Sequence, residues 1–275
     1  MPELPEVETV VNHLSQLVVG ERIVSAELIR ERLAPHHDKD AFAAILQNAA
    51  ISHIHRRGKH ILIDLDNGQT LMVHLRMSGR FLLVQNEENE PKFTHARFTF
   101  GSDKKLLFQD QRHFGFMRIA DSSTLFASKE LAKLAPEPFS EEFSSNYLKA
   151  VALRSTRSLK EFLLDQTRVC GVGNIYASEA LFLAGIDPKK MANKLSRPKA
   201  VRLHQTIREV LSETIAIGAA MKIDPANIGG SIYGNGDGEW RVYGREGEPC
   251  PNCSKLISRI VQASRSTFYC RKCQR

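Results

Sequence analysis

Four cysteines near the C-terminus stand in two equally spaced pairs, Cys250-x2-Cys253 and Cys270-x2-Cys273. Thiolates so spaced bite one ion from a single turn, and two such knuckles complete a closed tetrahedral zinc site. With four protein ligands no coordination position stays open, so one Zn2+ here is structural. Two disulfides are the alternative, and they need an oxidising compartment. The N-terminus, Met-Pro-Glu-Leu-Pro-Glu-Val-Glu, lacks the basic and apolar regions of a secretion signal, which favours zinc and an intracellular protein. Between the knuckles, residues 255–269 alternate apolar and polar side chains, predicting a β-hairpin with Ala263 to Ser266 at its tip. Arg265 at that tip offers a guanidinium suited to phosphate. A solvated surface arginine fits the tail alone equally well.

Two more segments place arginine beside a bulky apolar residue at a strand end: Arg76-Met77-Ser78-Gly79-Arg80 and Gln111-Arg112-His113-Phe114-Gly115. Exposed Met77 and Phe114 would suit wedging into a base stack; buried, they would suit the core at a sheet edge. A third segment, Cys170-Gly171-Val172-Gly173-Asn174, breaks a helical pattern that runs from Ser158 to Val169 and resumes from Ile175 to Gly185. Helix, glycine-containing turn and helix is a DNA-binding geometry in which backbone N–H groups approach phosphate, though such pairs also serve simply as packing units. It is no dinucleotide fingerprint, because no strand precedes it and no third glycine is in register. Cys170, in an apolar stretch, reads as a small buried hydrophobe.

These residues need elements to hold them. Val7, Val10, Val11 and Leu14 share one face of an opening helix. Residues 60–75 read as two strands around an Asn67-Gly68 turn, and 96–100 with 105–108 as a second pair around Gly101. Short strands at this spacing predict a β-sandwich or barrel. Residues 131–145, with Pro136 and Pro138, form a linker. A third helix spans Pro198 to about Ile217, with Val201, Leu203, Ile207, Val210, Leu211 and Ile215 as its buried stripe. With 42% hydrophobic and 25% charged residues the chain is an ordinary globular one, not disordered or fibrous. Its apolar runs are too short to span a membrane. The net charge of +7 is uneven: residues 241–275 carry eight basic and two acidic side chains, a local invitation to an anionic partner.

Taken in order, Pro2-Glu3-Leu4-Pro5-Glu6-Val7-Glu8-Thr9, Arg57-Gly58-Lys59, Gly171-Val172-Gly173-Asn174-Ile175-Tyr176 and the terminal cysteines resemble the formamidopyrimidine-DNA glycosylase family from the second residue to the last. The resemblance implies a multi-domain α+β protein. An N-terminal β-sandwich with an N-terminal helix would occupy 1–130, a linker 131–145, a helix-two-turn-helix domain with a lesion-facing loop 146–240, and a zinc-ribbon finger 241–275. It implies a DNA repair enzyme that excises oxidised purines, chiefly formamidopyrimidines and 8-oxoguanine, and cleaves the abasic site by β,δ-elimination. The partner would be damaged duplex DNA in a cleft between the domains. A bacterial, cytoplasmic, nucleoid-associated monomer without membrane attachment is expected.

The resemblance also assigns roles. Once Met1 is removed, Pro2 becomes a secondary amine; α-amino groups titrate near ~8, so a useful fraction is nucleophilic at neutral pH. Glu3 takes the acid/base work, with Glu6 and Glu8 serving mainly the helix dipole. Lys59 assists catalysis and elimination, and Arg265 contacts phosphate near the lesion. His95, Lys160 and Asn174 match phosphate contacts. Met77, Arg112 and Phe114 match the triad that fills the hole left by a flipped base, which turns those strand-end segments toward the wedge reading. The departure is at 219–240, where Ala219-Ala220-Met221-Lys222 replaces the usual Gly-Gly-Ser/Thr-Thr-like start. A weaker preference for 8-oxoguanine than for ring-opened purines is expected from it. Leu4 and the triad separate the chain from the related endonuclease VIII type, which prefers oxidised pyrimidines. Intact Pro2, Glu3 and Lys59 separate it from a non-catalytic zinc-containing DNA-binding protein.

Overall fold

The computed structural model describes residues 1–85, 87, 90–229 and 240–275. The chain divides into two compact units. The first comprises Met1–Ala132 with the described residues 217–229; the second comprises Lys133–Ala216 with 240–275. Among the described residues, no helix is long and apolar enough to cross a membrane.

In the first unit, helix α1 (Leu4–Val18) leads into β1 (Ile23–Leu28), α2 (Lys39–Leu46) and β2 to β4 (Ile51–Arg57, His60–Leu65 and Gln69–His74). Four more strands follow: β5 (Gly79–Gln85), β6 (Thr94–Phe100), β7 (Lys104–Asp110) and β8 (Phe116–Asp121). They form two antiparallel four-stranded sheets, ordered β1-β6-β7-β5 and β2-β3-β4-β8. Ile61, Ile63, Leu71, Val73, Met117 and Ile119 from one sheet and Phe81, Phe98 and Phe108 from the other lie in one core with Val7, Val10 and Leu14 of α1. The period-2 pattern of the strands and the helical stripe of α1 therefore bury together, as a sandwich requires. The Asn67-Gly68 turn joins β3 to β4, with Gly68 at φ +77°. Of this unit, β1, α2, β2, β5 and β8 had no distinct signature in the sequence.

The second unit contains α3 (Ser145–Leu153), α4 (Leu159–Leu164), α5 (Asn174–Leu183), the larger part of α6 (Arg197–Ala220) and the hairpin β9 (Ser258–Gln262) and β10 (Arg265–Tyr269). Helix α4 stops at Leu164 rather than continuing to Val169. The reason is local: Asp165 Oδ1 accepts from the backbone N–H of Thr167 at 3.0 Å and from its hydroxyl at 2.8 Å, a turn that competes with the helix. On α6, Leu203, Ile207, Val210 and Leu211 are buried as expected, but Val201 is exposed and Ile215 only half-buried. Cys170 is fully buried in this unit's apolar interior.

Candidate functional site

The N-terminal turn of α1 is built tightly. Glu3 is its N-cap, and the Glu3 N–H donates to Glu6 Oε2 at 2.7 Å. Pro5 occupies the first turn, where no N–H is required. Pro2 and Glu3 are both buried. Glu8 departs from the expected dipole role: it faces β2, where Arg56 Nε donates to its Oε2 at 2.7 Å. Arg56 Nη1 also donates to the carbonyl of Gly58 at 3.1 Å, and Gly58 makes the tight turn at φ +59°. This relay ties the turn that carries Lys59 to the helix that begins after Pro2 and Glu3. Lys59 is itself buried.

Two histidines follow Lys59 on the same sheet. His60 and His74 meet edge to face with ring centroids 4.7 Å apart. Burial lowers His60 to about 4, and burial with the nearby charges of His60, Arg76 and Lys59 lowers His74 to about 2. His74 Nδ1 accepts from the Arg76 N–H at 3.0 Å, which fits a neutral ring. Both imidazoles are therefore neutral at neutral pH.

The two strand-end segments project outward. Met77 is 41% and Phe114 56% exposed, so neither is a core residue at a sheet edge. The Arg112 guanidinium lies over the Phe114 ring, 5.4 Å from its centroid. Asp110, a residue without any mark in the sequence, holds both segments. Fully buried, it accepts from the Ser78 hydroxyl, from the Arg112 N–H at 3.1 Å and from the Gly115 N–H at 2.6 Å. Ser78 sits beside Met77, so one carboxylate positions all three exposed side chains. Gly79 and Gly115 admit this arrangement: a Cβ on Gly79 would stand 2.5 Å from the Leu75 carbonyl, and one on Gly115 2.7 Å from the Phe108 ring.

Burial opposes ionisation of Asp110, but the Ser78 hydroxyl and the backbone N–H groups of Gly115, Arg112 and Phe114 outweigh it and hold its carboxyl below the usual range. A depressed native pKa means the contribution to stability is present above the unfolded-state pKa and is lost as pH falls through the native value. In denaturant unfolding at neutral pH, Asp110→Asn should cost about 1–3 kcal/mol, the range for stranding buried hydrogen-bond partners. The difference from wild type should shrink at acidic pH, below about pH 4. A variant equally stable at neutral pH would contradict the positioning role.

His95 is buried. Its Nε2–H donates to the Asp110 carbonyl at 2.9 Å with His113 Nδ1 2.8 Å away, and burial lowers its pKa, so it braces the same turn as a neutral ring. The segment that begins at Ala219 is also anchored in this unit. Residues 219 and 220 end α6, Ile228 N–H donates to the Phe81 carbonyl at 3.1 Å, and Arg80 Nη1 donates to Asn227 Oδ1 at 3.3 Å. Residues 230–239 of the lesion-facing loop lie outside the described residues.

In the second unit, Gly171 turns the chain at φ +77°, with Gln166 accepting from its N–H at 3.0 Å and donating to the Val172 carbonyl at 2.8 Å. Asn174 opens α5 and donates through Nδ2 to the Ser266 carbonyl at 3.0 Å, which binds the turn to the hairpin. Lys160 is fully buried; its ammonium donates to the Asn174 carbonyl at 2.6 Å and to the Ser178 hydroxyl at 2.5 Å. Its side chain thus braces the Asn174 turn from beneath. Glu179, also missed in the sequence, is fully buried on α5. It accepts the N–H groups of Arg241, Val242 and Tyr243, each at 2.9 Å, and so fixes the start of the finger.

The four finger cysteines have all their sulfurs within 4.8 Å of one another. The Sγ atoms of Cys250 and Cys273 are 3.8 Å apart, and those of Cys253 and Cys270 3.5 Å, too far for disulfides. A zinc tetrahedron with bonds of ~2.3 Å has edges of about 3.8 Å, so these sulfurs fit one zinc ion. Left to themselves, crowded thiols cannot all ionise. A backbone N–H from Lys255 draws Cys253 down to about 7, whereas burial and neighbouring thiols push Cys273 up to about 12. A divalent cation resolves that conflict by binding four thiolates. The hairpin turns at Ala263 and Ser264, both at positive φ, as a two-residue primed turn demands. Arg265 is thus the first residue of β10 rather than a turn residue, and it is exposed.

An antiparallel β-sandwich, a helix–turn–helix unit and a four-cysteine ribbon define a modular nucleic-acid enzyme class. The profile of the formamidopyrimidine-DNA glycosylase N-terminal domain matches residues 1–117. That of its H2TH domain matches 134–224, and a zinc finger found in FPG and IleRS matches 247–275. The formamidopyrimidine-DNA glycosylase of Halalkalibacterium halodurans is 40% identical, with 100% of each chain covered. That of Bacillus subtilis is 41% identical, covering 100% of this chain and 99% of the relative. The Lactococcus lactis Fpg, solved with an abasic site containing DNA, superposes with a TM-score of 0.91 at 33% identity, covering 99% of both chains. The same Lactococcus protein, solved with N7-benzyl-Fapy-dG containing DNA, is similar to the same degree, with a TM-score of 0.91 and 34% identity. The chain belongs to the formamidopyrimidine-DNA glycosylase family.

Proposed function

We propose that this protein is a bifunctional DNA glycosylase and abasic-site lyase that removes formamidopyrimidines and 8-oxoguanine from duplex DNA, working as a monomer in the bacterial cytoplasm. The observation that carries the reading is one unit that buries Pro2, Glu3 and Lys59 while exposing Met77, Arg112 and Phe114. With Met1 removed, the Pro2 amine precedes the positive end of α1, which opposes an ammonium there. The unprotonated amine attacks C1′ of the damaged nucleotide, the glycosidic bond breaks, and the base leaves with a proton. Glu3 handles proton transfer at the sugar and leaving group. The bound amine gives up its proton, the C1′–O4′ bond breaks with O4′ taking up a proton, and the ring-opened iminium so formed acidifies the C2′ proton. Its removal, assisted by Lys59, expels the 3′ phosphate, and a second elimination expels the 5′ phosphate.

Met77, Arg112 and Phe114 fill the space of the flipped nucleotide, with Asp110 and His95 holding them in place. Asn174 and Arg265 take phosphates, and Lys160 supports the Asn174 turn electrostatically. Residues 1–130 serve as the catalytic domain, 131–145 as linker, 146–240 as the helical domain with the lesion-facing loop, and 241–275 as the zinc finger. Because 219 and 220 are helical and lack the usual glycines, ring-opened purines are the better substrates. The test is borohydride trapping and single-turnover excision on duplexes carrying one lesion opposite cytosine. A covalent adduct, with formamidopyrimidine released faster than 8-oxoguanine, is expected. No adduct would overturn the lyase reading, and equal rates would overturn the preference.

A further inference from the structure

The outer face of the β2–β3 ladder carries a second group of metal-ligating side chains. His53 and His55 stand two residues apart on β2, hence on one face of the strand, and Asp64 is the cross-strand partner of His53 on β3. The two imidazoles stack with centroids 5.0 Å apart and an interplanar angle of 21°. Asp64 Oδ2 lies 3.2 Å from His55 Nε2 and 3.7 Å from His53 Nδ1. One ligand atom from each of the three residues falls within 4.8 Å of the others. These separations are close to those between atoms that share one ion at bonds of ~2.0–2.2 Å.

The carboxylate is oriented from behind. Its other oxygen, Oδ1, accepts from the hydroxyl of Thr70, which is fully buried on β4, at 2.6 Å. Thr70 in turn lies 2.8 Å from the Ser122 hydroxyl. Metal-bound carboxylates are typically held in this way, with one oxygen taken by an outer partner and one left for the ion. An isolated surface His–Asp ion pair needs neither a second stacked imidazole nor a buried hydroxyl behind it. Imidazole and carboxylate together select zinc and its first-row neighbours over magnesium or calcium.

We propose that His53, His55 and Asp64 form a second cation site, separate from the cysteine finger, that takes one Zn2+ or a similar first-row divalent ion with water completing the shell. The ion would clip β2 to β3, the hairpin whose turn carries Lys59. Neither the sandwich nor the finger accounts for this grouping.

The test uses the full-length protein already holding one zinc in the finger, titrated with Zn2+ by calorimetry and checked by elemental analysis after dialysis. A second equivalent is expected, together with a rise in unfolding temperature. His55→Ala and Asp64→Asn should each remove that equivalent and leave the first, and Thr70→Val should weaken it about tenfold or more. Co2+ added to the zinc-loaded protein should give visible bands without thiolate charge transfer, the signature of nitrogen and oxygen ligands. One equivalent only in the wild type, a second equivalent that survives both His55→Ala and Asp64→Asn, or cobalt bands of thiolate type would each overturn the proposal. Because His55 and Asp64 are solvent-accessible, retention of the finger zinc by both variants reports that the chain still folds.

Discussion

Protein that retains Met1, or carries any N-terminal extension, should give no borohydride-trapped adduct with lesion-containing DNA while still binding it. The nitrogen of Pro2 is then an amide, without the lone pair that attacks C1′. The companion variant, Glu3→Gln, keeps the side-chain shape at the N-cap but cannot exchange a proton through a carboxyl group. Positioned acid–base groups contribute about 10²–10⁴-fold, so single-turnover excision should fall by that amount. At a preformed abasic site no base has to depart, so the decrease in strand cleavage should be much smaller. That split separates an acid/base role from a merely structural one: a distorted α1 would depress both steps together. Full trapping by the Met1-bearing form would move the nucleophile elsewhere, with Lys59 the first alternative.

The second large effect concerns the finger. Structural zinc sites supply about 10–16 kcal/mol of apparent binding free energy, comparable with the whole stability of a domain. Chelation, or Cys253→Ser, should therefore unfold residues 241–275 rather than loosen them. The consequence extends past the metal. Phe182 of α5 packs with Val242, Ile257 and Phe268 of the finger, and Glu179 satisfies three of its backbone N–H groups. With the finger unfolded, Arg265 has no fixed position and Asn174 is deprived of its partner at Ser266. DNA affinity should fall on the order of 10²-fold or more at moderate salt, because several phosphates are released together. The slope of log affinity against log salt should flatten by ~0.9 for every phosphate the finger no longer neutralises. An unchanged slope after zinc removal would show that the basic tail does not grip DNA. Arg265→Ala supplies the finer comparison, since it leaves the ion and the hairpin in place.

How much of this was legible beforehand depended on range. The zinc ligands were visible because each knuckle lies within four residues and its chemistry admits few other uses. The Asn67-Gly68 turn and the stripe of α1 were visible for the same reason: turn geometry and helical period are written in adjacent positions. Met77 and Phe114 were ambiguous, since an apolar residue at a strand end fits both core and wedge until its exposure is known. Val201 was misplaced because a helical stripe does not say how far a helix extends beyond the surface it packs on.

Asp110, Glu179 and Lys160 show the other limit. Asp110 looks like any acidic residue before a turn, and its meaning comes from Ser78, 32 positions earlier. Glu179 acts on backbone groups 62 to 64 residues away. Nothing in the sequence around Lys160 marks it as buried, yet folding places it beneath the turn it serves. By itself the sequence determined the ion, the turns, the helical and strand periods and, through its motifs, the family. Tertiary structure alone decided which charges are buried, which apolar side chains are left exposed and which carboxylates position them. Local backbone preferences and ligand spacing act within a few residues, whereas burial and charge pairing are settled only when distant segments meet.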